Sequence, residues 1–245
     1  QLGVEHLVGA DVIVFMTQDA VLADEISLEQ LAGSFKDENV ACAYGRQLPR
    51  LGAGAIETHA RLFNYPALSR TRKFEDRATL GIKAAFISNS FAAYRRSDLL
   101  AIGGFPAGLI MGEDTYVAAK MLLAGKKIGY CADALVFHSH AYSWADEFRR
   151  YFDTGVLHAR EPWIRRQFGE PSREGLKFMT SEVRYLLRRN PLLLLSAFMR
   201  TLLKLFGFQL GLHESILPVG LKRHFSMLSS FWQIDNIAKP TNSGG

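Results

Sequence analysis

Cysteine is nearly missing from this sequence: 245 residues hold two, Cys42 and Cys131, each inside an apolar stretch that reads as a strand. A disulfide framework is thereby excluded, and two buried thiols in a reducing compartment are expected. No secretory signal is expected, and these residues read without an internal repeat or low-complexity tract. Charged residues make up 22% and hydrophobic ones 48%, which excludes wholesale disorder and allows one substantial core. The chain opens with Gln1 inside the helix-like LGVEHLVGA, so a natural start further upstream is expected, and the closing TNSGG reads as a flexible end.

Acidity is also scarce in the second half. Residues 141–245 carry 15 Lys/Arg against 9 Asp/Glu, whereas residues 1–140 carry 14 against 15. The basic excess suggests an anionic partner surface, membrane or nucleic acid. No nucleic-acid signature accompanies it, and the aromatics are not interleaved with basic residues on a strand pair, so no nucleic acid is expected as partner.

What is present reads as alternating strands and helices up to about Tyr142. Asp11 to Met16 is a continuous apolar run, expected to be a strand buried on both faces. Ser27 with Gln30 resembles a capping box. Asn39 to Tyr44 predicts a second strand, Gly45 to Pro49 a polar turn, and Gly54 to Asn64 a helix stopped by Pro66. Arg70 to Lys83 reads as a surface loop, and Ala85 to Tyr94 as strand broken near Ser88-Asn89. Ser97 should cap a short helix, Glu113 to Leu123 form another closed by Gly125, and Lys127 to Phe137 form a strand pair. This is an α/β pattern with a mostly parallel sheet. From Ser143 onward the spacing is helical, over about 143–160, 174–189, 192–206 and 221–232. The domains expected are therefore 1–142, 143–240 and a short tail, 241–245.

Three places carry chemistry. Asp19 follows the first strand, where α/β sheets bind ligands or metals, though an Asp there equally suits a capped turn. Glu113-Asp114 opens a helix, where free amides stabilise anions; helix capping alone would also account for the pair. His138 and His140, two apart on an extended segment, project to one face, an arrangement suited to a divalent ion, although either alone reads as a hydrogen-bonded loop histidine.

Taken in order, Thr17-Gln18-Asp19-Ala20, Gly45-Arg46-Gln47-Leu48-Pro49, Ser88-Asn89, Gly103-Gly104-Phe105-Pro106, Gly112-Glu113-Asp114 and His138-Ser139-His140-Ala141-Tyr142-Ser143 resemble the rhamnosyltransferase branch of the family 2 glycosyltransferases. Those enzymes build bacterial O-antigen and related surface polysaccharides. The resemblance extends through Arg150–Gly155 and Lys222–Met227. It implies a partial GT-A, Rossmann-like domain whose nucleotide-binding first half lies outside this sequence, followed by a helical C-terminal region. Asp19 matches the metal-binding acid of a DXD-type motif, with the departure that Gln18 stands beside a single carboxylate. His138, 24 residues after Asp114, matches a second ligand for Mg2+ or Mn2+.

Asp114 matches the general base of an inverting transfer, with Glu113 orienting the acceptor or the Asp114 loop. Arg46 and Gln47 are candidates for donor or acceptor contacts, Ser88 and Asn89 for the acceptor pocket, Gln18 and His140 for substrate binding, and Trp144 for stacking on a sugar. The implied donor is a nucleotide sugar, dTDP-rhamnose, and the implied acceptor a lipid-linked saccharide.

Pro191 to Leu212 is long enough to suggest a transmembrane helix, but Arg200 and Lys204 form a basic stripe with Ser196. That favours a helix lying in the membrane interface with its cations at the headgroups, or alternatively one packed on the catalytic domain. A peripheral enzyme on the cytoplasmic face of a bacterial inner membrane is expected. Two readings compete: a non-catalytic membrane- or nucleic-acid-binding module, and a metal-dependent hydrolase using Asp19, Asp114 and His138.

Overall fold

Val40 to Tyr44 contains no charged side chain, and all five residues are buried, which is what a central strand requires. In the computed structural model, which describes residues 2–169 and 172–233, they begin β3 (Val40–Leu48). The TNSGG end lies outside the described residues. In chain order the other elements are α1 (Leu2–His6), β1 (Val12–Met16), β2 (Val21–Leu22), α2 (Ser27–Gly33), α3 (Ala55–Asn64), β4 (Arg70–Arg72), α4 (Arg77–Leu80) and β5 (Phe91–Arg95). There follow α5 (Arg96–Ala101), α6 (Glu113–Leu123), β6 (Lys127–Phe137), α7 (Trp144–Arg160), α8 (Pro162–Phe168), α9 (Ser172–Arg189), α10 (Leu194–Leu212) and α11 (Val219–Phe225).

The sheet is mixed, in the order β1-β5-β3-β6-β2, with β4 also on β6. Its parallel ladder, β3 with β6, lies in the core, and β1 runs in the same direction as both; the β1–β5, β3–β5, β2–β6 and β4–β6 ladders are antiparallel. An apolar run reads the same in either direction, so composition could not reveal that β5 enters against its neighbours. Alternate residues face two cores. Cys42, Tyr44, Tyr94, Ile128 and Tyr130 pack with Val117, Met121 and Leu122 of α6; Val40, Ala43, Phe91, Ala93, Ala134 and Val136 pack with Leu31 of α2.

Several expectations need correction. β1 is covered on one face: Ile13 is buried, while Val14 and Met16 are 39% and 48% exposed. Cys42 is buried but Cys131 only half-buried, and neither forms a disulfide. The turn expected at Gly45 to Pro49 is strand through Leu48. A Cβ on Gly45 would run into the Phe91 ring and the Ala134 carbonyl, and β6 accommodates the close approach by a register shift between Gly45 and Arg46. Arg46 and Gln47 therefore sit in the sheet. The basic stretch from Arg70 is not a surface loop, since Arg72 is buried and donates to the Lys83 and Phe86 carbonyls and the Tyr44 hydroxyl. Neither Ser27 nor Ser97 caps a helix; the caps are Ile26 and Arg95, without side-chain bonds, and Ser27 instead donates to Asp24 and accepts from the Leu135 amide.

The residues divide into two compact units. Among the described residues, one holds the sheet and comprises 2–106, 113–141 and 163–194; the other comprises 107–112, 142–162 and 195–233. In the second, Ser143 and Asp146 form a reciprocal cap at the start of α7. Helices α7 and α10 meet backbone to backbone, because a Cβ on Gly155, Gly207 or Gly211 would strike main chain of the opposite helix.

The basic stripe of α10 does not face outward. Arg200 and Lys204 both lie 3.1 Å from the carboxylate of Glu147, a buried acid on α7 that needs charge partners. The outward face of α10 is apolar instead, with Leu195, Phe198, Leu205 and Phe206 each more than half exposed. The helix expected over 221–232 stops at Phe225, where the Asp153 carboxylate captures the Met227 amide at 2.9 Å.

Candidate active site

β1 ends at Met16, and the turn that follows brings Asp19 beside the end of β6. The Asp19 Oδ2 lies 3.3 Å from His138 Nε2 and 3.7 Å from His140 Nδ1, and the three ligand atoms fall within 4.8 Å of one another. Arg50 donates to the Asp19 carbonyl and lies 3.5 Å from its carboxylate. Slight burial raises the Asp19 pKa, but the Thr17 hydroxyl and the two imidazoles outweigh it, and the net effect is a lowering. Gln18 is exposed in the same turn. His140, expected to serve substrate binding, stands edge-on to His138 with ring centroids 4.6 Å apart.

The residues behind His138 decide which of its nitrogens is bare. Gln47 is buried on β3, and its Oε1 receives Arg61 Nη1 at 2.6 Å. A guanidinium only donates, so this contact fixes the orientation of the Gln47 amide. Its Nε2 accordingly donates to Ser88 Oγ at 2.9 Å. The same Oε1 lies 3.0 Å from His138 Nδ1, which must therefore carry the ring proton. Burial pushes the His138 pKa down to about 4, against the opposing pull of Asp19, so the ring is neutral at pH 7. Nε2 thus presents a lone pair to a carboxylate oxygen 3.3 Å away. Two lone pairs so placed repel unless a cation lies between them, and a divalent ion fits this set of one carboxylate and two imidazoles.

Gln47→Leu is expected to weaken Mn2+ binding about 10- to 100-fold, read by calorimetry. Equal affinity would show that the His138 tautomer is set elsewhere.

Ser88 and Asn89 connect this cluster to the acid on α6. Asn89 directly follows the serine held by Gln47, and its backbone amide donates to Asp114 Oδ2 at 3.3 Å. Its side-chain oxygen accepts from Tyr94 at 2.7 Å, which anchors the dipeptide to the sheet. Asp114, half-buried, also receives the Thr115 amide at 2.6 Å. Burial and then the neighbouring Glu113 carboxylate raise its pKa to about 6, more than the amides lower it. A carboxylate so tuned takes up a proton near neutral pH. Glu113 itself is exposed. Glu113→Gln is expected to move the acid limb of the activity profile below pH 6, and an unmoved limb would remove Glu113 from the electrostatics of the site.

Not every candidate joins this network. Arg46 donates to the Tyr65 carbonyl at 3.1 Å, a fold contact. Trp144 belongs to the second unit, where it is 47% exposed beside Phe148 and Phe225. Sequence reading missed Arg61 and Arg50. Arg61 had no signal, being one basic residue on a helix, whereas Arg50 closes the polar run after β3 and could have been suspected.

Residues 12–217 match the family described as glycosyl transferase family group 2. This chain belongs to the family 2 glycosyltransferases. The glycosyltransferase is 47% identical over 231 residues to the O-antigen chain rhamnosyltransferase RfbN of Salmonella typhimurium, which covers 94% of this chain and 74% of that one. It is 48% identical over 223 residues to the O-antigen chain rhamnosyltransferase WbaN of Salmonella anatum, covering 91% and 71%. A similar solved structure is that of the mannosyltransferase PcManGT from Pyrobaculum calidifontis in complex with GDP-Man and Mn2+. It has TM-score 0.48 and 15% identity, and the glycosyltransferase spans 66% of its length.

Proposed function

We propose that the glycosyltransferase moves a rhamnosyl group, with inversion, from a nucleotide-activated donor such as dTDP-rhamnose to a hydroxyl of a lipid-linked saccharide in O-antigen chain synthesis. The observation that carries this reading is the unbroken polar path from Asp19 and His138 through Gln47, Ser88 and Asn89 to Asp114. It supports a base and a cation-binding cluster built as one site.

In the proposed reaction Asp114 accepts the acceptor's hydroxyl proton as that oxygen bonds to the anomeric carbon. The bond from that carbon to the diphosphate oxygen breaks on the opposite face, and the nucleoside diphosphate departs with its electron pair. A divalent ion held by Asp19, His138 and His140 would neutralise charge on that leaving group. Two imidazoles beside one carboxylate favour Mn2+ over Mg2+. Arg50, beside Asp19 and 44% exposed at its side chain, is a further cation for the diphosphate.

Family membership removes the non-catalytic reading; hydrolysis is separated by experiment. Nucleotide release from dTDP-rhamnose should depend on a lipid-linked saccharide and yield a longer saccharide. Equal release without acceptor would sink the transfer reading. We also place the enzyme peripherally on the cytoplasmic face of the membrane. The apolar outward face of α10 supports this in place of the basic stripe.

A further inference from the structure

Within the second unit, α7, α10 and α11 enclose a groove of about 320 Å3. Trp144, Phe148, Leu203 and Phe225 give it apolar walls, and the charged or titratable side chains lining it are Arg149 and His224, with Asp146 one turn before Arg149 and within its electrostatic reach. The Phe148 ring lies 5.4 Å from Phe225 and 5.9 Å from Phe206, and Phe206 is 62% exposed on the outward face of α10. The apolar surface is therefore continuous from the groove to Leu202, Leu205 and Phe198. Arg200 and Lys204 do not interrupt it, because Glu147 holds both.

An apolar trough with basic side chains calls for a ligand that is hydrocarbon at one end and anionic at the other. A peptide fits poorly, since its amides would lose water without gaining partners from these aromatic and aliphatic walls. A bare anion leaves the walls unused. An isoprenoid diphosphate satisfies both parts, each buried methylene strengthening binding ~4-fold and the diphosphate pairing with guanidinium and imidazole.

We propose that this groove binds the lipid diphosphate portion of the acceptor, its chain against Trp144, Phe148, Leu203 and Phe225 and its phosphates at Arg149 and His224. This rests on the reading that the acceptor is lipid-linked.

The test uses the full chain with geranylgeranyl diphosphate, geranylgeraniol and inorganic diphosphate as probes, read by tryptophan fluorescence and calorimetry. Geranylgeranyl diphosphate should bind at least ~10-fold more tightly than either fragment probe. Leu203→Ser should weaken it ~10-fold, with circular dichroism checking the fold. Arg149→Glu, at a partly buried rim position, should weaken geranylgeranyl diphosphate and leave geranylgeraniol binding unaltered. Inorganic diphosphate binding as well as the isoprenoid diphosphate would overturn the proposal in favour of an anion site. Plain phosphatidylcholine vesicles binding as well as vesicles doped with the diphosphate would overturn it in favour of general bilayer contact. Self-association abolished by Leu203→Ser, without probe binding, would overturn it in favour of a second copy. Wild-type transfer to lipid-free and lipid-linked saccharides is measured separately. Transfer without probe binding sinks the groove alone, whereas probe binding without transfer sinks the catalytic reading.

Discussion

Asp114→Asn is expected to lower sugar transfer by about 10²- to 10⁴-fold, the usual contribution of a general base, while leaving donor affinity within about twofold. The substitution preserves size and removes the capacity to take a proton, at the cost of one of the two oxygens that accept the Asn89 and Thr115 amides. The wild-type profile should rise with pH through the Asp114 pKa of about 6, because the base works ionised.

The same shift carries a stability signature. The folded-state pKa is raised above the ordinary 3.8, so the folded protein holds this proton more tightly than the unfolded chain does. Stability from this group is complete below the unfolded value and is lost as pH rises towards about 6. At pH 7 the ionised carboxylate therefore costs stability, and the Asn variant should gain a few degrees of Tm relative to wild type between pH 4 and pH 7, corresponding to about 1 kcal/mol, set against the constant cost of its unaccepted amide. That advantage should vanish near pH 4. An inactive variant whose Tm gains on wild type as pH rises fits a base held at some cost to the fold. Unchanged turnover would remove Asp114 from the role.

His138→Ala should produce the second large effect. It deletes the nitrogen whose lone pair faces Asp19 and leaves Arg61 as the donor to Gln47 Oε1. Mn2+ affinity should fall on the order of 100-fold or more, exceeding the loss from an outer residue such as Gln47. Donor affinity should fall in parallel when Mn2+ is present and be unaffected when it is absent. Calorimetric titration of Mn2+, then of nucleotide sugar with and without the ion, separates the two. Metal affinity equal to wild type would leave His138 a structural residue.

The chemistry of this site was more legible in the sequence than its scaffold. Asp19, Asp114 and His138 stand out because charged or titratable groups at the ends of apolar elements have few reasons to be there. Strand direction has no such mark, so β5 could not be seen to run against β1 and β3. Gln47 was visible as a polar residue, but its setting depends on Gly45, which lets β3 pass the Phe91 ring and continue where a turn was expected. The Arg200 and Lys204 stripe was read correctly as a pattern and given the wrong side. Spacing shows that two cations share a helix face, and Glu147, the buried acid on α7 that attracts them, lies 53 and 57 residues away.

The Ser88-Asn89 dipeptide has a consequence for kinetics. One of its residues is tethered to the metal-type cluster and the next to Asp114, with a single peptide bond between them. Any displacement of Ser88 on donor loading must alter the amide that Asn89 offers to Asp114, and so the proton affinity of the base. Thermodynamic reciprocity then requires protonation of Asp114 to alter donor affinity by the same factor. The pH dependence of donor binding, measured with no acceptor present, would report the size of that coupling.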